Sequence, residues 1–351
     1  MGPNLYTSVP VLSDAIRRLQ SLPVLPIPLE PTPIEELVRL KAAATGTGDE
    51  ASGAPSTRPR GVRLQAESRL LVKRDDAIPF GFGGNKVRKL RLVVAQGMAD
   101  GADTLITTGG IQSNHARATA SVAAKMGLDC VLVANGEAPE RPTANALLDR
   151  LLGADVRYVS RREDRAPAME RIAGDLREKG RRPFVIPLGA STPLGAAAFA
   201  LAVGELLAQV PAPDVIVTST SSGGTQAGLI AGCVLHGITT RVIGVSADDP
   251  SASIAAAIRG ILDGLERLLD APGAFAQARI DVDDRFVGGG YGIPTPASTE
   301  AIALAARRDA IFLDPTYTAK AMAALLAGLR ANALGGTVLF WHTGGQVGLF
   351  A

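Results

Sequence analysis

The 351-residue chain carries almost no excess of either charge: 36 Lys and Arg stand against 34 Asp and Glu, a net of +2. So even a balance argues against a nucleic-acid partner held by bulk electrostatics. Cysteine is nearly absent. Cys130 and Cys233 both lie in apolar runs and offer neither a disulfide framework nor metal-ligand spacing. That usage suits a reducing cytoplasm and predicts no metal. No apolar stretch is long enough to cross a bilayer, and the chain does not open with a basic region followed by an apolar core. Met1-Gly2 begins like a myristoylation signal, but Tyr6 stands where Ser or Thr is needed. A soluble cytoplasmic protein without a membrane partner is expected. Arg161, Arg162 and Arg165, interleaved with Glu163, Asp164 and Glu170, read as a solvated helix face.

What is present is a long alternation of two kinds of segment. Short β-branched runs at 68–72, 104–107, 130–134, 156–159, 184–187, 215–218, 241–245 and 338–341 predict strands. Ala-rich stretches at 114–126, 145–152, 225–236, 254–269, 298–309 and 318–330, and one ending near Met98, predict helices. Strands apolar throughout and alternating with helices indicate mostly parallel sheets covered on both faces, and this length suggests two lobes. Ahead of them lie an amphipathic helix at 12–19, a proline-rich segment at 23–33 expected to run extended over the main body, and a stretch at 42–61 that reads as a surface loop without chemistry.

Ligands in such folds bind at the carboxyl ends of strands, against helix N-termini. Four stretches fall at such places. Gly83-Gly84-Asn85-Lys86-Val87-Arg88-Lys89 puts Lys86 at the start of a helix, where the helix dipole and the cations Arg88 and Lys89 favour the neutral amine that attacks aldehydes. A basic surface turn would look the same. Thr107-Thr-Gly-Gly-Ile-Gln-Ser113-Asn114-His115 offers Ser113 as an N-cap and an anion site for a carboxylate, although a bare helix cap needs no more. Ser222-Gly223-Gly224-Thr225 follows a strand and opens a helix, which suits a phosphate. It lacks the Lys of a Walker loop and the dinucleotide spacing, so a phosphate monoester is favoured over ATP or NAD. In Trp341-His342-Thr343-Gly344-Gly345, backbone and a hydroxyl are placed to face a flat ring.

An aldehyde-reactive lysine, a phosphate cradle and a flat-ring surface together describe pyridoxal 5'-phosphate. The chain resembles the D-cysteine desulfhydrase and 1-aminocyclopropane-1-carboxylate deaminase family of fold type II pyridoxal-phosphate enzymes. The match runs through Val72-Lys-Arg-Asp-Asp76, the Gly83–Leu90 stretch, Thr108–Arg117, Ser222–Gly228, Tyr291-Gly-Ile-Pro294, Asp314–Lys320 and His342–Gly345, in family order. The resemblance implies an α/β, tryptophan synthase β-like fold of two lobes, each with a mostly parallel sheet flanked by helices. The large cofactor-binding lobe comprises 1–89 and 191–351, with 1–61 as arm and loop; the small closing lobe is 90–190. A homodimer is expected.

The resemblance further implies that Lys86 carries the cofactor and then takes the α-proton, with Ser113 also in the catalytic set. Ser113, Asn114 and His115 would hold the substrate carboxylate and the cofactor ring hydroxyl; Ser222, Gly223, Gly224 and Thr225 would hold the phosphate. Tyr291 and Tyr317 would face the substrate side chain. Thr318 stands where the family's deaminases carry a Glu against the pyridine nitrogen, so Thr318 or Thr343 would offer a hydroxyl there. The implied activity is α,β-elimination from a small β-substituted amino acid, D-cysteine first. Cysteate or another β-substituted alanine, β-replacement, ring-opening deamination and an inactive amino-acid-binding relative are the alternatives.

Overall fold

The computed structural model describes residues 9–46 and 68–351. In chain order the elements are α1 (Val9–Gln20), β1 (Ile34–Glu36), α2 (Val38–Thr45), β2 (Arg69–Arg74), α3 (Asn85–Ala99), β3 (Thr104–Gly110), α4 (Asn114–Met126), β4 (Asp129–Asn135), α5 (Ala144–Leu151) and β5 (Asp155–Val159). There follow α6 (Arg165–Glu178), β6 (Pro183–Val185), α7 (Pro193–Gln209), β7 (Val215–Thr220), α8 (Gly224–Leu235), β8 (Arg241–Ser246), α9 (Ser251–Leu269), β9 (Asp281–Asp283), α10 (Pro296–Asp309), α11 (Thr318–Arg330) and β10 (Thr337–His342).

Two sheets result. One has the order β1-β2-β10-β7-β8-β9, the other β5-β4-β3-β6. All neighbours are parallel except β1 and β2. The apolar strands explain this: every residue of β7 is buried, as parallel strands covered on both faces must be. Helices α7 and α8 pack so closely that a Cβ on Gly228 would lie 2.1 Å from the Ala196 carbonyl oxygen. Only glycine allows that approach.

The proline-rich segment carries no helix and anchors itself through buried Leu25 and Ile27. Residues 42–45, expected to begin a loop, instead finish α2, which buries Leu40 and Ala44 beside α10 and α11; 47–61 lie outside the described residues. Helix α7 and the three-residue strands β1 and β9 were not anticipated, since α7 is apolar nearly all round and three residues show no period. Among the described residues no helix is long and apolar enough to cross a membrane, and both cysteines are free and buried.

Candidate active site

Lys86 is the second residue of α3. The turn before it is stitched to the ends of both β2 and β10: Gly84 N–H donates to Asp75 O at 2.8 Å and Asn85 N–H to Thr343 O at 3.0 Å. A Cβ on Gly83, at φ 68°, would meet the Asp76 carbonyl oxygen at 2.5 Å, so the paired glycines serve this turn. Burial brings the Lys86 ammonium down to about 8. The help expected from Arg88 is not there. Arg88 turns away into ion pairs with Asp75 and Glu205, each at 2.8 Å, and Asp75 also accepts from Trp341 Nε1 at 2.9 Å. Breaking one side of such a buried network costs on the order of 3–5 kcal/mol, so Arg88 acts as a clamp that fixes α3, and Lys86 with it, on the large sheet.

The Ser222–Thr225 turn links β7 to α8, with Gly223 left-handed at φ 79°. Ser222 Oγ lies 2.7 Å from Ser191 Oγ, and Thr225 Oγ1 accepts from Asn85 Nδ2 at 3.0 Å. Here the structure adds a residue that sequence reading left out of the site. Lys89, 1% exposed, reaches among the described residues only Gly189 O and Ser191 Oγ, both at 3.3 Å, and a Cβ on Gly224 would lie 2.8 Å from its Nζ. Burial and the neighbouring Lys86 hold its ammonium well below the usual lysine range. The signal was available, because residues three apart share a helix face.

Across the cavity Ser113 caps α4 as expected, its Oγ accepting Ala116 N–H at 3.2 Å, an interaction worth about 1 kcal/mol. Asn114 Oδ1 accepts from Asn145 Nδ2 at 2.9 Å. His115 is buried against Thr107 Oγ1 at 2.8 Å. Because Thr107 gives its proton to Ile186 O, His115 Nε2 is the donor, and the neutral ring keeps a lone pair on Nδ1, which has no partner among the described residues. Desolvation, with Lys86 and Lys89 adding to it, keeps this imidazole far from protonation.

Tyr317 OH donates to Tyr291 OH at 2.8 Å, with the rings edge to face at 5.7 Å. Burial raises both phenols above their ordinary range. Asp314 positions the first, accepting the N–H groups of Thr316, Tyr317 and Thr318. Lys320 positions the second: its buried Nζ donates to Ala247 O, Val287 O and Gly290 O, pinning the loop that bears Tyr291. A lysine inside the apolar run Thr-Ala-Lys-Ala-Met was the visible clue.

These residues enclose one cavity of about 300 Å³. Lys86, Ser113, Asn114, His115, Ser222, Gly223, Gly224, Thr225, Tyr291, Tyr317 and Thr343 all line it; Thr318 does not. The Thr318 hydroxyl is consumed locally, donating to Asp314 Oδ1 at 2.6 Å and accepting Asp314 N–H at 2.8 Å. It ties the first residue of α11 back to Asp314 rather than facing a ligand. Of the two threonines named for the ring nitrogen, Thr343 reaches the cavity, paired at 2.9 Å with Ser219, which sequence reading had not singled out. The cluster read as a solvated helix face is also corrected. Arg162 and Arg165 line the cavity, and Arg165 is buried.

The family described as pyridoxal-phosphate dependent enzyme matches residues 52–344. The chain belongs to this family. It is 38% identical over 294 residues to the D-cysteine desulfhydrase of Salmonella choleraesuis (strain SC-B67), covering 80% of this chain and 88% of that protein. Among solved structures, an ACC deaminase homologue superposes with a TM-score of 0.84 at 32% identity, over 96% of each chain. Maize serine racemase shares the fold at a TM-score of 0.62 and 18% identity, covering 97% of this chain and 93% of that one.

The cavity fits the family's cofactor on its own chemistry. A phosphate dianion at the start of α8 would meet hydroxyls of Ser222 and Thr225, the helix N-terminus and the buried ammonium of Lys89, which otherwise lacks an anion. The bare Nδ1 of His115 is an acceptor suited to a ring hydroxyl.

Proposed function

We propose that this pyridoxal-phosphate-dependent enzyme eliminates sulfide from D-cysteine, giving pyruvate, ammonia and hydrogen sulfide with one water consumed. The observation that carries the reading is the placement of a lowered-pKa lysine and a hydrogen-bonded tyrosine pair on one cavity that also holds a phosphate cradle. The 38% identity to a D-cysteine desulfhydrase agrees with it. Pyridoxal phosphate, when bound, supplies an electron sink for the negative charge that develops at Cα.

The remaining work falls to the chain. Ser222, Gly223, Gly224 and Thr225, with Lys89, would hold the phosphate; Thr343, supported by Ser219, would offer the ring nitrogen a hydroxyl. Ser113 and Asn114 at the α4 N-terminus would orient the substrate carboxylate, and His115 the ring hydroxyl. Lys86 Nζ would hold the cofactor's aldehyde and, as a neutral amine, is the base placed to take the α-proton. Tyr317 and Tyr291 face the β-substituent and deliver a proton or hydrogen bond to the departing sulfur. Residues 90–190, which carry Ser113, form a lobe that closes on 1–89 and 191–351 and excludes water. The reading includes a cytoplasmic homodimer, for which Leu151 of α5 and Phe350 of the C-terminal turn, 72% and 76% exposed, offer an apolar surface. A monomeric mass by light scattering would remove the dimer.

A ring-opening deaminase is the second reading. Cyclopropane opening has no easy leaving group and calls for a charged pyridine ring, which a carboxylate would favour and a Thr343 hydroxyl does not. Incubated with D-cysteine, L-cysteine, β-chloroalanine, serine and 1-aminocyclopropane-1-carboxylate, the protein is expected to release sulfide and pyruvate in equal amounts from D-cysteine, with little 2-oxobutanoate from the cyclopropane. Rapid 2-oxobutanoate formation without sulfide release would overturn the assignment.

A further inference from the structure

A buried ammonium needs either an anion or a full set of acceptors. Lys320, on α11 and 0% exposed, has the second. Its Nζ donates to Val287 O and Gly290 O at 2.8 Å and to Ala247 O at 3.1 Å, and among the described residues it forms no ion pair. Asp248 and Asp314 act on its charge from further off. Both are engaged elsewhere: Asp248 accepts from Ser221 Oγ at 3.0 Å and Asp249 N–H at 2.8 Å, and Asp314 accepts the N–H groups of Thr316, Tyr317 and Thr318. An ammonium has three protons and no lone pair, so three carbonyls use it completely. A neutral amine would turn a lone pair on one of them. The site therefore holds a positive charge among carbonyl oxygens alone, the surroundings in which a protein replaces the hydration shell of potassium.

The owners of the three carbonyls give the arrangement its consequence. Ala247 directly follows β8, on the large sheet. Val287 and Gly290 lie in the loop Val287-Gly-Gly-Gly-Tyr291-Gly292, whose own turns close with long bonds, Val287 N–H to Asp284 O and Ile293 N–H to Gly290 O, both at 3.3 Å. The Gly290 carbonyl shares a peptide plane with Tyr291 N, and Gly290 sits at φ 124°, which suits glycine alone. Lys320 itself stands three residues past Tyr317. One ammonium thus ties a strand end, the Tyr291 loop and the Tyr317 helix together at a single point.

We propose that the carbonyls of Ala247, Val287 and Gly290 form a cage for a monovalent cation, and that the Lys320 ammonium fills it as a built-in ion that sets the Tyr291 and Tyr317 pair. The protein then needs no added potassium or ammonium for that geometry, and a chain without the side chain would take one up. Lys320 is a positioning residue, since it does not line the cavity and acts through the Tyr291 loop. The activity arm of the test rests on the elimination reading above; the binding arm does not.

Sulfide release from D-cysteine by the cofactor-loaded protein is to be measured at equal ionic strength in the chlorides of tetramethylammonium, lithium, potassium and ammonium. The unmodified protein should keep the same rate in all of them. Lys320→Ala should lose about one to two orders of magnitude in tetramethylammonium, the cost of a group displaced by about an ångström, and regain most of it, saturably, in potassium or ammonium but not in lithium. Lys320→Met, which fills the space of the stem without a charge, should lose as much and regain nothing. The same selectivity should appear without turnover, as a melting temperature of Lys320→Ala that potassium raises and tetramethylammonium does not. Activation of the unmodified protein by potassium, or a Lys320→Ala protein with one rate and one melting temperature in every salt, overturns the inference. If Lys320→Ala is too unstable to load, its yield of folded protein on refolding in each salt reads the same preference, and equal yields overturn it. A potassium-selective rise in melting temperature with no sulfide from the unmodified protein keeps the cage and removes the desulfhydrase reading; sulfide from the unmodified protein with no salt preference in the variant does the reverse.

Discussion

Replacing Lys86 with alanine is expected to abolish sulfide release, by more than about 10³-fold, because one nitrogen serves as both cofactor attachment and base for the α-proton. A thousandfold loss corresponds to roughly 4 kcal/mol of barrier, within reach of a single group that touches the reacting atoms. The fold should survive. Among the described residues Lys86 belongs to no ion pair, whereas the clamp that fixes α3 runs through Arg88, Asp75 and Glu205. Loading of the unmodified protein with pyridoxal phosphate should also depend on pH in a definite direction. Attack on an aldehyde needs the neutral amine, and burial brings the Lys86 ammonium down to about 8. The loading rate should therefore climb as pH rises towards 8 and level off above it, as followed by visible absorbance. A rate that falls over this range, or a Lys86→Ala protein that keeps full turnover, would remove Lys86 from its role.

Tyr317→Phe is expected to keep the bound cofactor but slow turnover by about one to four orders of magnitude, the span covered by loss of a proton-transfer or electrostatic group. The Tyr317 hydroxyl donates to Tyr291 at 2.8 Å, so its removal leaves Tyr291 without the bond that orients it. The size of the loss should track the leaving group. Cysteine, whose sulfur profits from a proton, should suffer more than β-chloroalanine, whose chloride leaves without one. Equal and small losses for both substrates would make the pair a packing contact.

Much of this was legible in the sequence because the informative residues sit where the backbone changes state. Ser113 and Ser222–Thr225 lie where an apolar run ends and a helix begins, and there glycine and hydroxyl residues have few other reasons to cluster. The two buried strands that flank the cavity, the seven-residue β3 and the six-residue β7, announce themselves by composition alone. What stayed hidden depends on which way a side chain turns after long-range packing. Arg88 and Lys89 are neighbours in sequence, yet one turns to Asp75 and Glu205 and the other to the phosphate cradle. Arg165 has the sequence surroundings of a solvated face, but α6 packs back on the small sheet and buries it. Thr318 was misplaced for a similar reason. Its hydroxyl is captured by Asp314 four residues earlier, a local contact that motif position does not reveal.

The central claim is that Lys86, and not its neighbour Lys89 on the same helix face, forms the bond to the cofactor. Borohydride reduction of the loaded protein, followed by proteolysis and mass spectrometry, reads this directly. The account predicts the phosphopyridoxyl group on Lys86 alone, with visible absorbance lost on reduction; a label on Lys89, or no label on either lysine, would contradict it.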